Sequence, residues 1–167
     1  MDATIRTYSG LLIDLLNPDP KLIMLGDIAH SLSLINRFGG HTPQPYSVAE
    51  HSILVASSYD DPKDYRTALL HDASEAYLGD MVGPLKHSGE MRAFILIELS
   101  WEKALAERFD LYPPSDEFVS EVKERDKELF EWERTFIRNN PCRVAPNAAD
   151  VKFQFATRAS TRGEIRG

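Results

Sequence analysis

The sequence predicts an all-α domain, a bundle of about five to seven helices with a small β-hairpin at its N-terminus. Three observations carry that expectation. Apolar residues recur at helical spacing over long stretches, capping and stopping residues frame those stretches, and only the N-terminal segment reads as strands. At 167 residues the chain has the size of one domain, long enough to bury roughly 70% of the surface its unfolded form exposes. Charged residues make up 27% and hydrophobic ones 43%, the balance of a folded chain. The expected organisation is an N-terminal hairpin or arm over 1–26, a helical core over 27–138, and a C-terminal helix and tail over 139–167.

In IRTYSGLLIDLLNPDP, Ser9-Gly10 is a turn signal between two short runs carrying Ile, Thr and Tyr, which predicts the hairpin. Asp27 is a capping-type residue that opens DIAHSLSLINRF, and Gly39-Gly40 stops it; GGHTPQPY is then a loop. Ser47 with Glu50 three residues later is a capping-box signature, so SVAEHSILVASSY is the second helix, with His51 in its second turn. Pro62 suits a first turn and Gly79 a stop, which frames KDYRTALLHDASEAYL as one continuous third helix followed by the loop GDMVGPLKHSG. Two long helices follow, EMRAFILIELSWEKALAERF and SDEFVSEVKERDKELFEWERTFIRNN, separated by Pro113-Pro114; Ser115 caps the second and Pro141 closes it. PNAADVKFQFATRAS predicts a last helix, and TRGEIRG a frayed end.

Lys and Arg total 19 against 26 Asp and Glu, a formal charge of −7, with no basic block. Duplex nucleic acid is therefore not an expected partner, because such binding rests on neutralising phosphates. A small anionic ligand is compatible, since a few local cations hold it whatever the net charge. Cys142 is the only cysteine, so neither an intramolecular disulfide nor a thiolate metal site is expected, and a reducing compartment fits. The start MDATIRTYSG lacks the pattern of a signal peptide, and no run approaches the ~18 apolar residues of a membrane span. The expected location is cytoplasmic, without a membrane partner.

The polar residues inside the apolar pattern point to chemistry. On a continuous helix His71 and Asp72 diverge by about 100°, with Glu75 between them one turn on. A lone His-Asp pair is common by chance, the histidine a satisfied core residue and the acid on the surface. His51, however, shares a face with Val48 and Val55, which directs a second imidazole inward. On the long helix the stripe Phe118, Val122, Leu129 and Phe136 brings Asp126 and Glu133 near or within the apolar face, where an unpaired carboxylate is costly. Two imidazoles and two carboxylates facing one interior make a mixed nitrogen and oxygen site for a divalent metal.

The ordered pattern of H, then HD, then a distant D, in SVAEHS, ALLHDASEAYLGDMVGPLK and VKERDKELFEWE, resembles the HD-domain metal-dependent phosphohydrolases, most of all the branch holding the bacterial 5'-deoxynucleotidases. The resemblance covers about Asp27 to Ile137. It implies an HD-type helical bundle and metal ligation by His51, His71, Asp72 and Asp126, with one divalent ion drawn from Zn, Mn, Co, Ni, Fe or Mg. It implies catalysis through Asp72 and Glu75, the latter handling a proton on the substrate or on water. Arg37 matches an arginine that holds a phosphate with its guanidinium fork; the alternative is an arginine answering a helix C-terminal dipole. Phe38, where that group carries tryptophan, joins the expected substrate-binding set, with His41 in the loop and Asp80 at the sugar. Exposed-loop and ordinary-turn readings stand beside the last two, and Lys86 faces either the substrate anion or solvent, with solvent the favoured expectation. Glu50 is explained by the capping box, Trp101 and Trp132 by packing, and His30 and His87 have no evident partner.

The expected function is hydrolysis of a phosphomonoester, best a nucleoside or deoxynucleoside 5'-monophosphate. The competing expectations are a nucleotide-binding regulatory protein that keeps the site without hydrolysis, and a metal-free helical interaction protein. The family is often dimeric, and the long amphipathic helices are compatible with a homodimer.

Overall fold

The hairpin forms around Ser9-Gly10 as predicted. In the computed structural model, which describes residues 3–111, 116–140 and 146–161, strands β1 (Thr4–Arg6) and β2 (Leu12–Asp14) pair antiparallel with Ile5 opposite Ile13. The Thr7 N–H donates to the Leu11 carbonyl at 2.8 Å and the Gly10 N–H to the Thr7 carbonyl at 3.0 Å. Gly10 supplies the left-handed step, φ 91°, that closes the turn.

The first helix, α1 (Leu25–Leu34), begins two residues before Asp27. Asp27 lies in its first turn, buried, and does not cap it. Its carboxylate instead accepts the Ser9 N–H at 2.7 Å and the Ser9 hydroxyl at 2.8 Å, tying the hairpin turn to α1. The helix also stops short of Gly39-Gly40, because beyond Leu34 the chain pairs with a distant segment. Asn36 and Ser47 form an antiparallel bridge, and the Arg37 N–H donates to the Tyr46 carbonyl at 2.9 Å. Arg37–Gly40 then forms a 3-10 turn in which Phe38 and Gly39 both have φ 59°.

The capping box holds: α2 (Val48–Ala56) opens at Ser47, whose hydroxyl accepts the Glu50 N–H at 3.2 Å while the Glu50 carboxylate accepts the Ser47 N–H at 2.9 Å. Asp61 caps α3 (Pro62–Leu69), with Pro62 in its first turn. Here the structure corrects the predicted continuous third helix, because α3 ends at Leu69 and α4 (Glu75–Leu78) is a separate turn closed by Gly79. Between them the N–H groups reach back three residues, His71 to Ala68 and Glu75 to Asp72, the tighter 3-10 pattern. The His71 ring contributes to this break: its Nδ1 lies 2.8 Å from the Ala68 carbonyl, the acceptor an α-helix would give to the Asp72 N–H.

The expected loop GDMVGPLKHSG contains a single turn, α5 (Gly83–Lys86), before α6 (Arg92–Phe109). Then come α7 (Asp116–Asn139) and the predicted last helix, α8 (Ala148–Thr161). Pro113-Pro114, Ser115, Pro141, Cys142 and the tail after Thr161 lie outside the described residues. Among those residues there are eight α-helices and one two-stranded sheet, so the protein is all-α with a small hairpin. The count exceeds five to seven through α4 and α5, each four residues long.

The core lies where α1 packs on α8 and α2, and where α2 packs on α3 and α7. Trp101 is fully buried, stacked on Tyr77 at 4.1 Å, and its Nε1–H donates to the Leu15 carbonyl at 2.9 Å. On α7 the buried stripe is Val122, Glu133 and Ile137. Phe136, expected in it, is exposed and stacks on Trp132, also exposed, at 4.6 Å. A step of four from Glu133 reaches Ile137 and turns Phe136 outward. His30 does have partners: its ring stacks on Tyr8 at 3.8 Å, and Lys152 Nζ lies 3.4 Å from Nδ1. Among the described residues no helix is long and apolar enough to cross a membrane.

Candidate metal centre

Three elements bring the predicted ligands together. α2 supplies His51, the tight turn between α3 and α4 supplies His71 and Asp72, and α7 supplies Asp126. One ligand atom from each of His51, His71 and Asp72 lies within 4.8 Å of the other two, so the cluster could hold a metal ion. Asp72 Oδ2 is 3.1 Å from His71 Nε2 and 3.6 Å from His51 Nε2. Asp126 Oδ1 approaches His51 Nε2 to 3.0 Å, an ion-pair distance without the geometry of a hydrogen bond.

The other nitrogen of each ring is engaged. His51 Nδ1 is 2.7 Å from Glu133 Oε1 and His71 Nδ1 is 2.8 Å from the Ala68 carbonyl, acceptors that place the ring proton on Nδ1 in both. Both Nε2 lone pairs therefore face the shared space, as in metal-binding histidines oriented from behind by a carboxylate or a carbonyl. His51 Nε2, His71 Nε2 and Asp126 Oδ1 are buried and lack a hydrogen-bond partner. Such orphaned atoms are costly unless something satisfies them. A divalent ion does so, and the nitrogen and oxygen donor set suits one.

The charges around the cluster oppose its burial. Burial works to raise the Asp72 carboxyl, but His71, His51 and Arg37 hold it well below the usual carboxylate range. Burial likewise opposes ionisation of Asp126, and His51 holds it low. Burial would lower the His51 imidazole, yet Asp126 and Glu133 raise it above its ordinary value. For Glu75 burial, then Asp72 and Asp80, push the carboxyl up to about 10 against the lowering charges of Arg37 and Lys86. Glu75 Oε2 is buried without a hydrogen bond, so the side chain is a neutral acid at neutral pH with an idle oxygen.

Arg37 is held from two sides, Nε 3.3 Å from Glu133 Oε2 and a terminal nitrogen 3.6 Å from Asp72 Oδ2. It sits just beyond α1, and its described ion-pair partners are these two carboxylates. Phe38 is half-buried, its ring 5.5 Å from that of Phe130 and the Arg37 guanidinium 5.7 Å from its centre. Asp80 is half-buried; burial raises its carboxyl, and the Arg37 and Asp72 charges both act on it, which puts it in the same electrostatic neighbourhood. His41 is exposed beyond the Arg37 turn, and no described contact joins it to the cluster. Lys86 does not simply face solvent. It bonds Glu98 at 2.8 Å and, with His71, Asp72, Asp126 and Lys123, lines a cleft of about 710 Å³.

Two residues outside the expected set stand out. Glu133, fully buried, accepts the Tyr46 hydroxyl at 2.5 Å and His51 Nδ1–H at 2.7 Å, and forms an ion pair with Arg37. Its position seven residues after Asp126, two turns along one face, was the available signal. Tyr46, 1% exposed, had none beyond its place before the capping box.

No family model matches the chain. It is 45% identical over 89 residues to an uncharacterized protein of Rhodobacter capsulatus, covering 48% of this chain and 45% of that protein. It is 45% identical over 85 residues to the uncharacterized protein YfdR of Escherichia coli, covering 49% of this chain and 46% of that protein. The chain thus spans about half the length of the curated relatives it matches.

Proposed function

We propose that this protein is a metal-dependent phosphohydrolase of the HD type, acting on a phosphomonoester and best suited to a nucleoside or deoxynucleoside 5'-monophosphate. The observation that carries the reading is the convergence of two unsatisfied imidazole Nε2 atoms with Asp72, beside a buried arginine and a protonated acid. His51, His71, Asp72 and Asp126 would hold one divalent ion, which would supply Lewis-acid polarisation of the phosphoryl group and a more acidic water.

The rest of the reaction falls to the chain's own groups. Arg37 presents a guanidinium at the cluster's edge, the donor that suits phosphate oxygens as negative charge builds on them. The water oxygen would form the new bond to phosphorus as the ester P–O bond breaks, and the proton the water loses would end on a phosphate oxygen of the product. Glu75, whose carboxyl is pushed up in the metal-free chain by burial and then by the Asp72 and Asp80 charges, would give its proton to the departing alkoxide and regain one from solvent. Asp80, on which the same Arg37 charge acts, would serve a hydroxyl of the leaving sugar. Phe38 offers an aromatic face beside the phosphate end.

Phosphate release from a panel of nucleoside monophosphates, each with Mn, Co, Ni, Zn or Mg, tests the reading. Release of phosphate with at least one ion is expected. Glu75→Gln should lower kcat by about 10²–10⁴-fold with metal content unchanged, whereas Asp72→Ala should lose both metal and turnover. Nucleotide binding without release under any ion would overturn the enzyme in favour of a binding protein.

A further inference from the structure

We infer that Glu133 is a positioning residue that couples the two halves of the site: one buried carboxylate fixes the His51 tautomer on the metal side and holds the Arg37 guanidinium on the phosphate side. The inference rests on the reading of the cluster as a metal and phosphate centre. It begins from an imbalance, because a carboxylate with no solvent exposure carries a heavy desolvation cost unless several donors meet it. Two hydrogen-bond donors and one cation do, Tyr46, His51 and Arg37, from three places in the chain.

The two oxygens divide the work. Oε1 accepts both the Tyr46 hydroxyl at 2.5 Å and His51 Nδ1–H at 2.7 Å. Among the described residues Oε2 makes no hydrogen bond, and Arg37 Nε lies 3.3 Å from it. The first oxygen therefore sets which His51 nitrogen keeps its lone pair for the cluster. The second leaves a negative charge whose described ion pair is with Arg37.

Arg37 has a competing attachment at Asp72 Oδ2, 3.6 Å away, and that oxygen is the one nearest both imidazole Nε2 atoms. An ion held by Asp72 would draw on the same oxygen and weaken its hold on Arg37. Glu133 is then what keeps the guanidinium in place, with its terminal nitrogens released for phosphate. Metal and phosphate affinities should accordingly be linked, each strengthening the other through Arg37 and Glu133.

Two substitutions separate the two oxygens. In Glu133→Gln the amide oxygen can still accept from Tyr46 and His51, while its NH₂ would face Arg37, donor to donor. In Glu133→Leu both functions are lost. The test uses the full ¹⁵N-labelled chain, titrated first with Zn²⁺ and then, at zinc saturation, with inorganic phosphate. The His51 ring nitrogens and the Arg37 Nε–H are followed by NMR.

Wild-type His51 should carry its proton on Nδ1, and phosphate should shift Arg37 more readily with zinc than without. Glu133→Gln should bind phosphate about tenfold more weakly while keeping that tautomer. Glu133→Leu should also lose about 10–100-fold in zinc affinity. Should Glu133→Leu not fold, the other two forms decide. An Nε2–H tautomer in the wild type, or unaltered phosphate affinity in Glu133→Gln, overturns the inference. A chain that shows the linkage yet hydrolyses no ester would sink the proposed activity and leave the coupling standing.

Discussion

Glu75 is the residue whose chemistry departs furthest from its ordinary behaviour while staying within reach of experiment. Its carboxyl lies at about 10 in the folded chain against an ordinary 4.5, through burial and then the charges of Asp72 and Asp80. A group raised on folding contributes stability below its unfolded value and loses it as pH rises toward the folded one. Without metal, the protein should therefore gain more from Glu75→Gln at pH 8 than at pH 5. Thermal melts in chelator at the two pH values measure the difference, and a gain independent of pH would show that Glu75 is not held neutral. The residues of this neighbourhood were unevenly legible. His51, His71, Asp72 and Asp126 stood out because polar groups at core-facing positions demand an explanation. Glu133 sat on the same face and was noticed, yet its role depends on Tyr46 and Arg37, and no spacing rule connects a residue to partners more than 80 positions away.

At the scale of elements, the places where the sequence misled are those where a side chain takes over a backbone partner. Apolar spacing runs on through Leu69, Leu70, Ala73 and Tyr77, so nothing in the periodicity announces the break between α3 and α4. The break is nevertheless what turns Asp72 and Glu75, three apart in a 3-10 segment, toward one side. Asp27 is a parallel case: it looks like a cap because capping residues are short acceptors, but here the acceptor serves Ser9 in the hairpin. Asp27→Ala would remove the buried carboxylate that accepts both Ser9 donors, and should destabilise the fold by about 1–3 kcal/mol. Ser9→Ala, which removes only the hydroxyl, should cost about 1 kcal/mol. Urea denaturation gives both values, and native-state hydrogen exchange should show the added opening confined to β1, β2 and the start of α1. Equal costs for the two variants would mean that the Ser9 N–H is satisfied elsewhere. The well-read elements, the hairpin, the capping box and the long helices, are those whose signals are local and which no distant side chain contests.

Among the described residues, buried polar atoms without a hydrogen-bond partner gather where α2, α7 and the turn between α3 and α4 meet, so a bound ion would join segments that otherwise meet through histidine–carboxylate pairs and idle lone pairs. Anything that binds the folded chain and not the unfolded one stabilises it by mass action, about 2.7 kcal/mol at a ligand concentration of 100 times Kd. Binding also requires His51 to shed a proton that Asp126 and Glu133 favour, against its burial. Protons and metal thus compete for the same nitrogen, and the metal gains as pH rises through the imidazole's elevated value. The rise in Tm produced by a fixed excess of Zn²⁺ should be larger at pH 8 than at pH 6, with proton release on binding seen calorimetrically in buffers of different ionisation enthalpy. His51→Gln should abolish most of that rise, and Lys152→Ala, whose described contacts are with the stacked His30 and Tyr8, should leave it unchanged. A Tm increase indifferent to pH and to His51 would place the ion elsewhere. One that follows both ties the stability of the helical core to a site built from residues on three of its elements.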